Sequence, residues 1–249
     1  MAIGIISAMR EEMQTLLENL QESVTSTKGK RTYYSGKLFN TNVVLVFSRW
    51  GKVASATTVT QLINDYDIDE IIFTGVAGGI FKEANIGDIV VGKHLYQHDV
   101  DASPLFKKFE VPLLNKVFFE TSPSHREQLY LATQLFLNSY DTFIDKEKAL
   151  TFGITQPKVI ISDIASGDQF ISEAHAVSKL KTELPTVFCV EMEGAAIAQV
   201  CYEYNILFSI IRIISDKAND NAHIDFPKFA KEIASHYALG VLKEYFNEI

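Results

Sequence analysis

The stretch VFCVEMEGAAIAQV, residues 187–200, decides the fold of this chain. Its first four residues have the length and β-branched content of a buried strand. Small helix-forming residues follow Gly194, so a helix is expected to begin there. Glu191, Met192 and Glu193 therefore lie at the carboxyl end of a strand, which is the edge where open parallel α/β sheets hold their ligands.

The two glutamates on either side of Met192 allow two interpretations. A site at this point would hold polar hydroxyl groups beside an apolar thioether surface. Alternatively, the glutamates only complement the dipole of the helix N-terminus. This segment alone does not distinguish between the two interpretations, so the rest of the sequence is needed to choose.

Strand and helix patterns alternate along the whole chain. They predict one α/β domain over residues 1–249, with a central mixed, mostly parallel β-sheet flanked by helices. Strands are predicted at 2–7, 32–38, 42–48, 70–74, 88–96, 158–162 and 207–215, and helices at 10–20, 51–66, 124–138, 172–184 and from about Phe226 onward. A turn is predicted at 75–79 and a loop at 165–171. Residues 98–116 carry large apolar side chains without a pattern, which is typical of an interface or lid, or of a segment folded over its own core.

Composition narrows the class of partner. The 249 residues carry a formal net charge of −8 with 47% hydrophobic content, and no run of lysines and arginines occurs. A nucleic acid or an anionic membrane is therefore disfavoured, and a small neutral or cationic ligand fits better. No apolar run approaches the length of a membrane span or a signal peptide. Cys189 and Cys201 lack any ligand pattern, which favours reduced thiols and a cytoplasmic location.

No cofactor or metal is expected. The glycine stretch GVAGG, residues 75–79, has neither the spacing of a dinucleotide-binding loop nor the lysine of a P-loop. Its glycines would instead let backbone amides approach a ligand closely. The histidines show no metal-ligand spacing.

Charged residues follow several of the predicted strands. Glu12 lies one turn into the helix after the first strand, Glu193 follows the strand of the opening stretch, and Asp216 ends the last strand. Arg212 lies within that last strand, where an unpaired cation is costly, so a carboxylate or ligand partner is expected. Each charge alone is more often a helix-terminal or surface group, but three at equivalent strand ends predict one shared crevice.

Six motifs in order carry a family resemblance. They are IGIISAMREEM (3–13), FTGVAGGI (73–80), IGDIVV (86–91), SGDQFI (166–171), VEMEGAAIA (190–198) and RIISDKA (212–218). Together they resemble the nucleoside phosphorylase/hydrolase superfamily, and within it the 5′-methylthioadenosine/S-adenosylhomocysteine nucleosidases. The resemblance is weakest over residues 102–156.

The resemblance implies hydrolysis of the N-glycosidic bond of an adenine nucleoside and assigns catalytic roles. Asp216 would protonate or hydrogen-bond N7 of adenine, and Glu12 would act as general base on the attacking water. Glu193 would hold the ribose hydroxyls, and Arg212 would help to position Glu12, Glu193 and the water.

The resemblance also implies a binding surface and an oligomeric state. Phe170 would stack on adenine, the main chain of Ile171 would read its edge, Met192 would pack on the sugar, and Phe226 would line the 5′ side. The other residues implied in substrate binding are Met9, Trp50, Val76, Ala77 and Gly78. A homodimer is implied, with loop 98–111 of one subunit over the 5′ substituent in the other.

Two positions depart from the family pattern. Val76 stands where serine is common, and Trp50 replaces a small aliphatic residue beside the pocket for the 5′ substituent. The preferred substituent therefore stays open, and a futalosine-type or other purine nucleoside hydrolase is an alternative. A phosphate-dependent phosphorylase is a second alternative. A non-catalytic nucleoside-binding relative is disfavoured because Glu12, Glu193 and Asp216 are all present.

Overall fold

A mixed β-sheet with helices on both sides forms the described part of the chain. The structure is a computed structural model that describes residues 1–218, 226 and 228–248. The strands are β1 Ala2–Ser7, β2 Gln21–Lys28, β3 Arg31–Leu38, β4 Thr41–Phe47, β5 Ile68–Gly79, β6 Ile89–Gln97, β7 Phe118–Glu120, β8 Val159–Ser166, β9 Val187–Glu191 and β10 Leu207–Asp216. The helices are α1 Arg10–Asn19, α2 Lys52–Asp65, α3 Pro123–Asn138, α4 Lys146–Thr151, α5 Ala174–Glu183, α6 Gly194–Tyr204 and α7 Ser235–Glu248, with a 3₁₀ turn Tyr140–Thr142 and a π-helical turn Ala230–Ala234.

The sheet closes on itself around β5. This strand pairs in parallel with β1 and β10 and antiparallel with β9. From β10 the pairing continues through β6 and β8 back to β9, which makes a closed ring of strands. Strands β4, β3 and β2 extend from β1 as an open wing. The sequence pattern predicts an open parallel sheet with the site at its edge. The closed ring of strands shows that this part of the prediction is wrong.

The carboxyl ends of β5 and β9 meet although the two strands run in opposite directions. They pair through Gly78 with Val190 and Gly79 with Cys189, close to the last residue of each strand. On its other side Gly78 lies opposite Asp216 of β10. The register, rather than a common strand direction, therefore brings these three strand ends to one place.

Three apolar clusters attach the helices to the sheet, and the two largest lie on its opposite faces. Helices α1, α3 and α7 pack together on one face, where Met13, Leu16 and Phe136 are fully buried. Helices α2 and α6 contact each other on the opposite face, with Leu62 and Ala195 in the core there. The predicted mixed sheet flanked by helices is confirmed.

The predicted turn at 75–79 is wrong, because β5 runs through all five residues to Gly79. The run of apolar and β-branched side chains that predicts the strand stops at Thr74, because the glycines that follow have no side chains to continue it. Close packing explains the glycines: a Cβ atom at Gly75 would lie 2.8 Å from Oε1 of Glu12, and one at Gly79 would lie 2.6 Å from Cβ of Ala84. Strand β8 likewise continues to Ser166, two residues into the predicted loop.

Some elements carry no signal in the sequence. Strand β2 is polar and almost wholly exposed, so it shows no alternation of apolar residues. The segment 98–116 is irregular, and its apolar residues divide: Phe109 and Val111 are buried against their own chain, whereas Leu105 is 85% exposed. Among the described helices, none combines the length and the apolar character that crossing a bilayer requires.

Candidate active site

A pocket lies where β1, β5, β9 and β10 end. The described residues that line it are Ala8, Met9, Glu12, Trp50, Val76, Ala77, Gly78, Gln169, Phe170, Ile171, Val190, Glu191, Met192, Glu193, Ser215, Asp216 and Phe226. The structure thus brings the predicted site residues to one pocket, apart from Arg212, which lies behind its wall.

Glu12 is fixed by backbone donors on both carboxylate oxygens. Its Oε2 accepts hydrogen bonds from the N–H groups of Ala8 and Met9, each at 3.0 Å, and its Oε1 accepts one from Val76 at 3.0 Å. The first two bonds cap helix α1, which is the structural role such a glutamate often has. The third joins Glu12 to β5, so the same carboxylate is also held against the pocket wall.

Burial decides the protonation of Glu12. Desolvation raises its pKa from 4.5 to about 7, although the positive charge of Arg212 and the backbone hydrogen bonds favour the ionised form. A carboxyl group with a pKa near neutrality exchanges protons readily at physiological pH. Glu12 is therefore suited to act as a general base.

Glu193 faces the same pocket from the N-terminus of α6. Its Oε1 accepts a hydrogen bond of 2.8 Å from the N–H of Gly51, at the start of α2. Burial raises the pKa of Glu193, and the negative charge of Glu191 raises it further. The backbone bond leaves the rest of this carboxylate available to hydroxyl groups of a ligand.

Glu191 is a residue of the pocket that the sequence interpretation did not assign. It accepts hydrogen bonds from the N–H groups of Glu193 and Gly194, from the hydroxyl of Ser166, and from Nη2 of Arg212 at 2.8 Å. The sequence feature that could have indicated Glu191 is its position directly before Met192, at the end of a predicted strand. The buried partner expected for Arg212 is therefore Glu191.

Arg212 supports the pocket from behind. Its guanidinium carbon lies 3.7 Å from the ring centroid of Phe73, and its Nη2 holds Glu191. It also approaches Glu12 closely across Gly75, because a Cβ at Gly75 would lie 3.0 Å from Nη1 of Arg212 and 2.8 Å from Oε1 of Glu12. The glycine thus makes room for both groups.

Asp216 ends β10 with both carboxylate oxygens oriented. Oδ1 accepts a hydrogen bond of 2.8 Å from the N–H of Ala218, and Oδ2 accepts one of 2.8 Å from the hydroxyl of Ser215. A Cβ at Gly78 would lie 3.0 Å from Oδ1 of Asp216. The strand ends place this carboxylate on the pocket wall together with Glu12 and Glu193.

Aromatic side chains form the entrance of the pocket. Trp50 and Phe226 make an edge-to-face contact with ring centroids 5.9 Å apart, and Phe170 makes a similar contact with Phe226 at 6.3 Å. Trp50 is 53% exposed and Phe170 46% exposed. Such faces are open to stack on a planar ring.

A polar network ties the aromatic loop to the pocket. Nζ of Lys52 donates to Oδ1 of Asp99 at 2.6 Å, and Oδ2 of Asp99 accepts the N–H of Asp168 at 2.9 Å. Oδ1 of Asp168 in turn accepts the N–H of Lys52 at 2.7 Å. Because Gly51 holds Glu193, the loop that carries Phe170 is fixed relative to that carboxylate.

The arrangement is suited to acid–base chemistry on a polar ligand with a flat ring. Four carboxylates, those of Glu12, Glu191, Glu193 and Asp216, line the pocket, and a planar group can stack at its entrance. Within the described ranges, no group of three or more His, Cys, Asp or Glu side chains is placed to hold a metal ion.

Comparison with known proteins agrees with this geometry. The family model described as the phosphorylase superfamily matches residues 2–247. The chain belongs to this superfamily. It is 34% identical over 237 residues to a 5′-methylthioadenosine/S-adenosylhomocysteine nucleosidase of Anoxybacillus flavithermus, which covers 95% of this chain and 94% of the relative.

Solved structures of the superfamily share the fold over the whole chain. The 5′-methylthioadenosine/S-adenosylhomocysteine nucleosidase of Neisseria meningitidis, in complex with methylthio-immucillin-A, has a TM-score of 0.84 at 29% identity and covers 100% of this chain and 99% of its own. The futalosine hydrolase of Helicobacter pylori has a TM-score of 0.82 at 30% identity, with coverage of 100% and 98%. The resemblance predicted from the sequence motifs is confirmed.

Proposed function

We propose that the protein hydrolyses the N-glycosidic bond of 5′-methylthioadenosine and S-adenosylhomocysteine, releasing adenine and the 5-thio-substituted ribose. The observation that carries this is the meeting of Glu12, Glu193 and Asp216 in one pocket. The nucleosidases among its relatives support the substrate class.

The three carboxylates would divide the reaction among them. Water attacks C1′ as the bond from C1′ to N9 of adenine breaks, and the sugar passes through an oxocarbenium-like state that nearby carboxylates stabilise. Glu12 takes a proton from the water, while Asp216 protonates or hydrogen-bonds N7 of the leaving base. Glu193 accepts hydrogen bonds from the ribose hydroxyls. Each proton-transfer group contributes about 10²–10⁴-fold to the rate.

The surrounding residues would bind the two ends of the nucleoside. Phe170 stacks on adenine, and the main chain of Ile171 reads its edge. Met192 packs on the sugar, while Met9 and Phe226 lie toward the 5′ substituent. Arg212 acts through Glu191, whose carboxylate fixes the backbone N–H groups of Glu193 and Gly194.

The contact between Glu12 and β5 favours hydrolysis over phosphorolysis. A phosphorylase needs free backbone amides and hydroxyl groups for phosphate at the glycine-rich strand. Here the N–H of Val76 donates to Glu12, and the valine side chain offers no hydroxyl. Water is therefore the better-supported nucleophile.

A futalosine-type hydrolase is the second candidate. The similarity to the Helicobacter pylori enzyme and the large side chain of Trp50 beside the 5′ pocket favour it. Both candidates use the same carboxylates and differ in the 5′ substituent.

A phosphate-free incubation tests the proposal. Methylthioadenosine, S-adenosylhomocysteine and futalosine are each incubated with the protein, and the released base is followed by chromatography. Rapid adenine release from the first two, unchanged by added phosphate, is expected. Release that requires phosphate would identify a phosphorylase, and release from futalosine alone would select the second candidate.

We also propose a homodimer in which loop 98–111 of one subunit lies at the interface and covers the 5′ side of the other. The 85% exposed Leu105 in this loop supports the interface. Light scattering on the intact protein is expected to give twice the mass of 27.9 kDa. The variant Leu105→Asp should shift the mass toward a monomer, and a monomeric parent protein would contradict the proposal.

Two further expectations concern the whole chain. We propose that residues 1–249 form one domain, which the match of the family model to residues 2–247 supports. We propose a reducing, cytoplasmic location, and the buried free thiols of Cys189 and Cys201 support it. Fractionation of the source cells would test the location.

A further inference from the structure

A small charged network beside the pocket joins three segments of the chain. Asp99 belongs to segment 98–111, Asp168 belongs to the loop that carries Phe170, and Lys52 begins α2. Oδ1 of Asp99 accepts a hydrogen bond of 2.6 Å from Nζ of Lys52, and its Oδ2 accepts one of 2.9 Å from the N–H of Asp168. The N–H of Lys52 donates in turn to Oδ1 of Asp168 at 2.7 Å. We call these three residues the Asp99 bridge, in which each member holds the other two.

Burial strengthens the ion pair of the Asp99 bridge. The side chains of Lys52 and Asp99 are only 17% and 18% exposed, whereas each other lysine that pairs with a carboxylate among the described residues is at least 36% exposed. Shielding from water makes a charge pair stronger than it is at the surface. Nζ of Lys52 also donates to Oε1 of Gln97 at 3.2 Å, which fixes the end of the lysine. The bridge is therefore a well-defined contact and not an incidental surface pair.

The Asp99 bridge reaches both halves of the proposed nucleoside site. The N–H of Gly51, directly before Lys52, donates to Oε1 of Glu193 at 2.8 Å. A Cβ atom at Gly51 would lie 2.8 Å from Oδ1 of Asp168, so the aspartate packs directly on this glycine. Phe170, whose ring would stack on adenine, comes two residues after Asp168. The bridge thus fixes the carboxylate for the ribose and the ring for the base relative to each other.

Segment 98–111 holds the loop that carries Phe170 through a second residue. The N–H of His98 donates to the carbonyl of Ser166 at 2.9 Å. The imidazole of His98 packs so closely on Gly167 that a Cβ atom there would overlap with the ring. Together His98 and Asp99 contact three consecutive residues, from Ser166 to Asp168. The position of the chain just before Phe170 is therefore set by this segment.

We propose that Asp99 is a positioning residue for the binding of adenine. Asp99 is not among the described residues that line the pocket, so it acts through Asp168 on the loop that places Phe170 over the base. This inference rests on the proposed function, which gives Phe170 its role. The same segment carries Leu105, proposed above to lie at the subunit interface, so the Asp99 bridge ties adenine binding to the segment that a partner subunit would contact.

Asp99→Ala tests the proposal. The change removes both acceptors, so the loop loses its tie to segment 98–111 and Phe170 is in place for only part of the time. KM for methylthioadenosine should rise about three- to tenfold, with loss of the stacking ring as the upper limit, while kcat changes by less than about twofold. Asp99→Asn keeps one acceptor oxygen and should give a smaller rise. Asp65→Ala is the matched control, since Asp65 pairs with Lys28 at the other end of α2, and it should leave KM unchanged.

A double variant shows whether Asp99 acts through Phe170. If it does, the double variant Asp99→Ala with Phe170→Ala should have the same KM as Phe170→Ala alone, because the ring that Asp99 positions is already gone. Calorimetric titration with adenine measures the same effect without turnover, and Kd should rise in Asp99→Ala by the same factor as KM. Light scattering should give the parent mass for Asp99→Ala, because the Asp99 bridge lies within one subunit.

The possible results separate this inference from the proposed function. An unchanged KM and Kd in Asp99→Ala, or a rise no larger than in Asp65→Ala, would overturn the positioning role while adenine release by the parent protein still supports the hydrolase. A fall in kcat alone, a changed mass, or effects of Asp99→Ala and Phe170→Ala that multiply in the double variant would overturn it as well. Absence of adenine release from methylthioadenosine by the parent protein would overturn the proposed function itself.

Discussion

The floor and the entrance of the pocket are built in different ways. The floor consists of Glu12, Glu191 and Glu193, with Arg212 behind them, and all four residues are buried and held by hydrogen bonds. The entrance consists of the aromatic residues Trp50, Phe170 and Phe226, which are partly exposed and contact one another mainly through ring edges. The floor carboxylates are bound by backbone N–H groups. If one of these carboxylates is replaced, the backbone cannot easily move to satisfy the N–H groups that lose their acceptor.

This difference separates catalysis from specificity. Losing one partner in a buried polar network leaves a desolvated group unpaired, which is expensive. Replacing an exposed ring removes contact area and little else. We therefore expect floor substitutions to affect turnover and folding, and entrance substitutions to affect which nucleoside binds.

The strongest test of the floor is Glu12→Gln. Glutamine keeps one acceptor oxygen, which suits the N–H groups of Ala8 and Met9, but presents its NH2 group to the N–H of Val76. It cannot take a proton from water, so kcat should fall about 10²–10⁴-fold while the fold is kept. Initial rates with methylthioadenosine and a circular dichroism spectrum measure the two effects. Glu18→Gln on the same helix is the matched control. Turnover near the parent value in Glu12→Gln would remove Glu12 from the mechanism.

Arg212→Met tests whether the floor depends on its buried ion pair. The change leaves Glu191 buried without its cation, so the free energy of unfolding should fall by about 3–5 kcal/mol. Urea denaturation measures this. Lys37→Met breaks the exposed pair with Glu22 and should cost less than about 1 kcal/mol. Equal losses of unfolding free energy in the two variants would show that the buried Arg212–Glu191 pair stabilises the protein no more than an exposed pair does.

The pH profile sharpens the assignment of the base. Burial raises the pKa of Glu12 to about 7, and the base must be ionised to accept a proton. As the pH falls below 7, kcat/KM should therefore decrease about tenfold per unit. An ordinary glutamate would show this decrease only below its usual pKa. The decrease should persist in Glu193→Gln, and a flat profile down to pH 5 would contradict Glu12 as the base.

The smallest expected effect lies at the entrance. Phe170→Ala removes the stacking face for adenine, so KM should rise about tenfold with a much smaller change in kcat. Phe170→Tyr keeps the face and should restore KM. Tyr204→Ala, at an exposed aromatic residue on α6, is the control. A fall in kcat with an unchanged KM would show that Phe170 contributes to catalysis rather than to binding of the nucleoside.

Much of this architecture could be predicted from local patterns. The spacing of apolar residues located α1, α3, β9 and β10 to within one residue at each end. Strand β2 could not be found, because an exposed edge strand needs no apolar alternation. The glycines of β5 were mistaken for a turn, since a strand packed against Glu12 and Arg212 has no room for side chains that would reveal it.

Part of the active site could also be predicted from the sequence. Glu12, Glu193 and Asp216 were predicted to share a crevice because each follows a strand, and all three line the pocket. The sequence could not single out Glu191 as the partner of Arg212, because its importance lies in the bonds it receives from Arg212 and Ser166. Those partners are distant in sequence, and no spacing rule connects them.

The sequence by itself determined the types of residue at the strand ends and the order of strands and helices. Only the tertiary structure decided that antiparallel β5 and β9 overlap at their carboxyl tips, that Arg212 pairs with Glu191, and that Asp99 joins Lys52 to Asp168. The physical reason is that side-chain periodicity reports local conformation. Register, closure of the strand ring and charge clustering depend on pairings between distant parts of the chain.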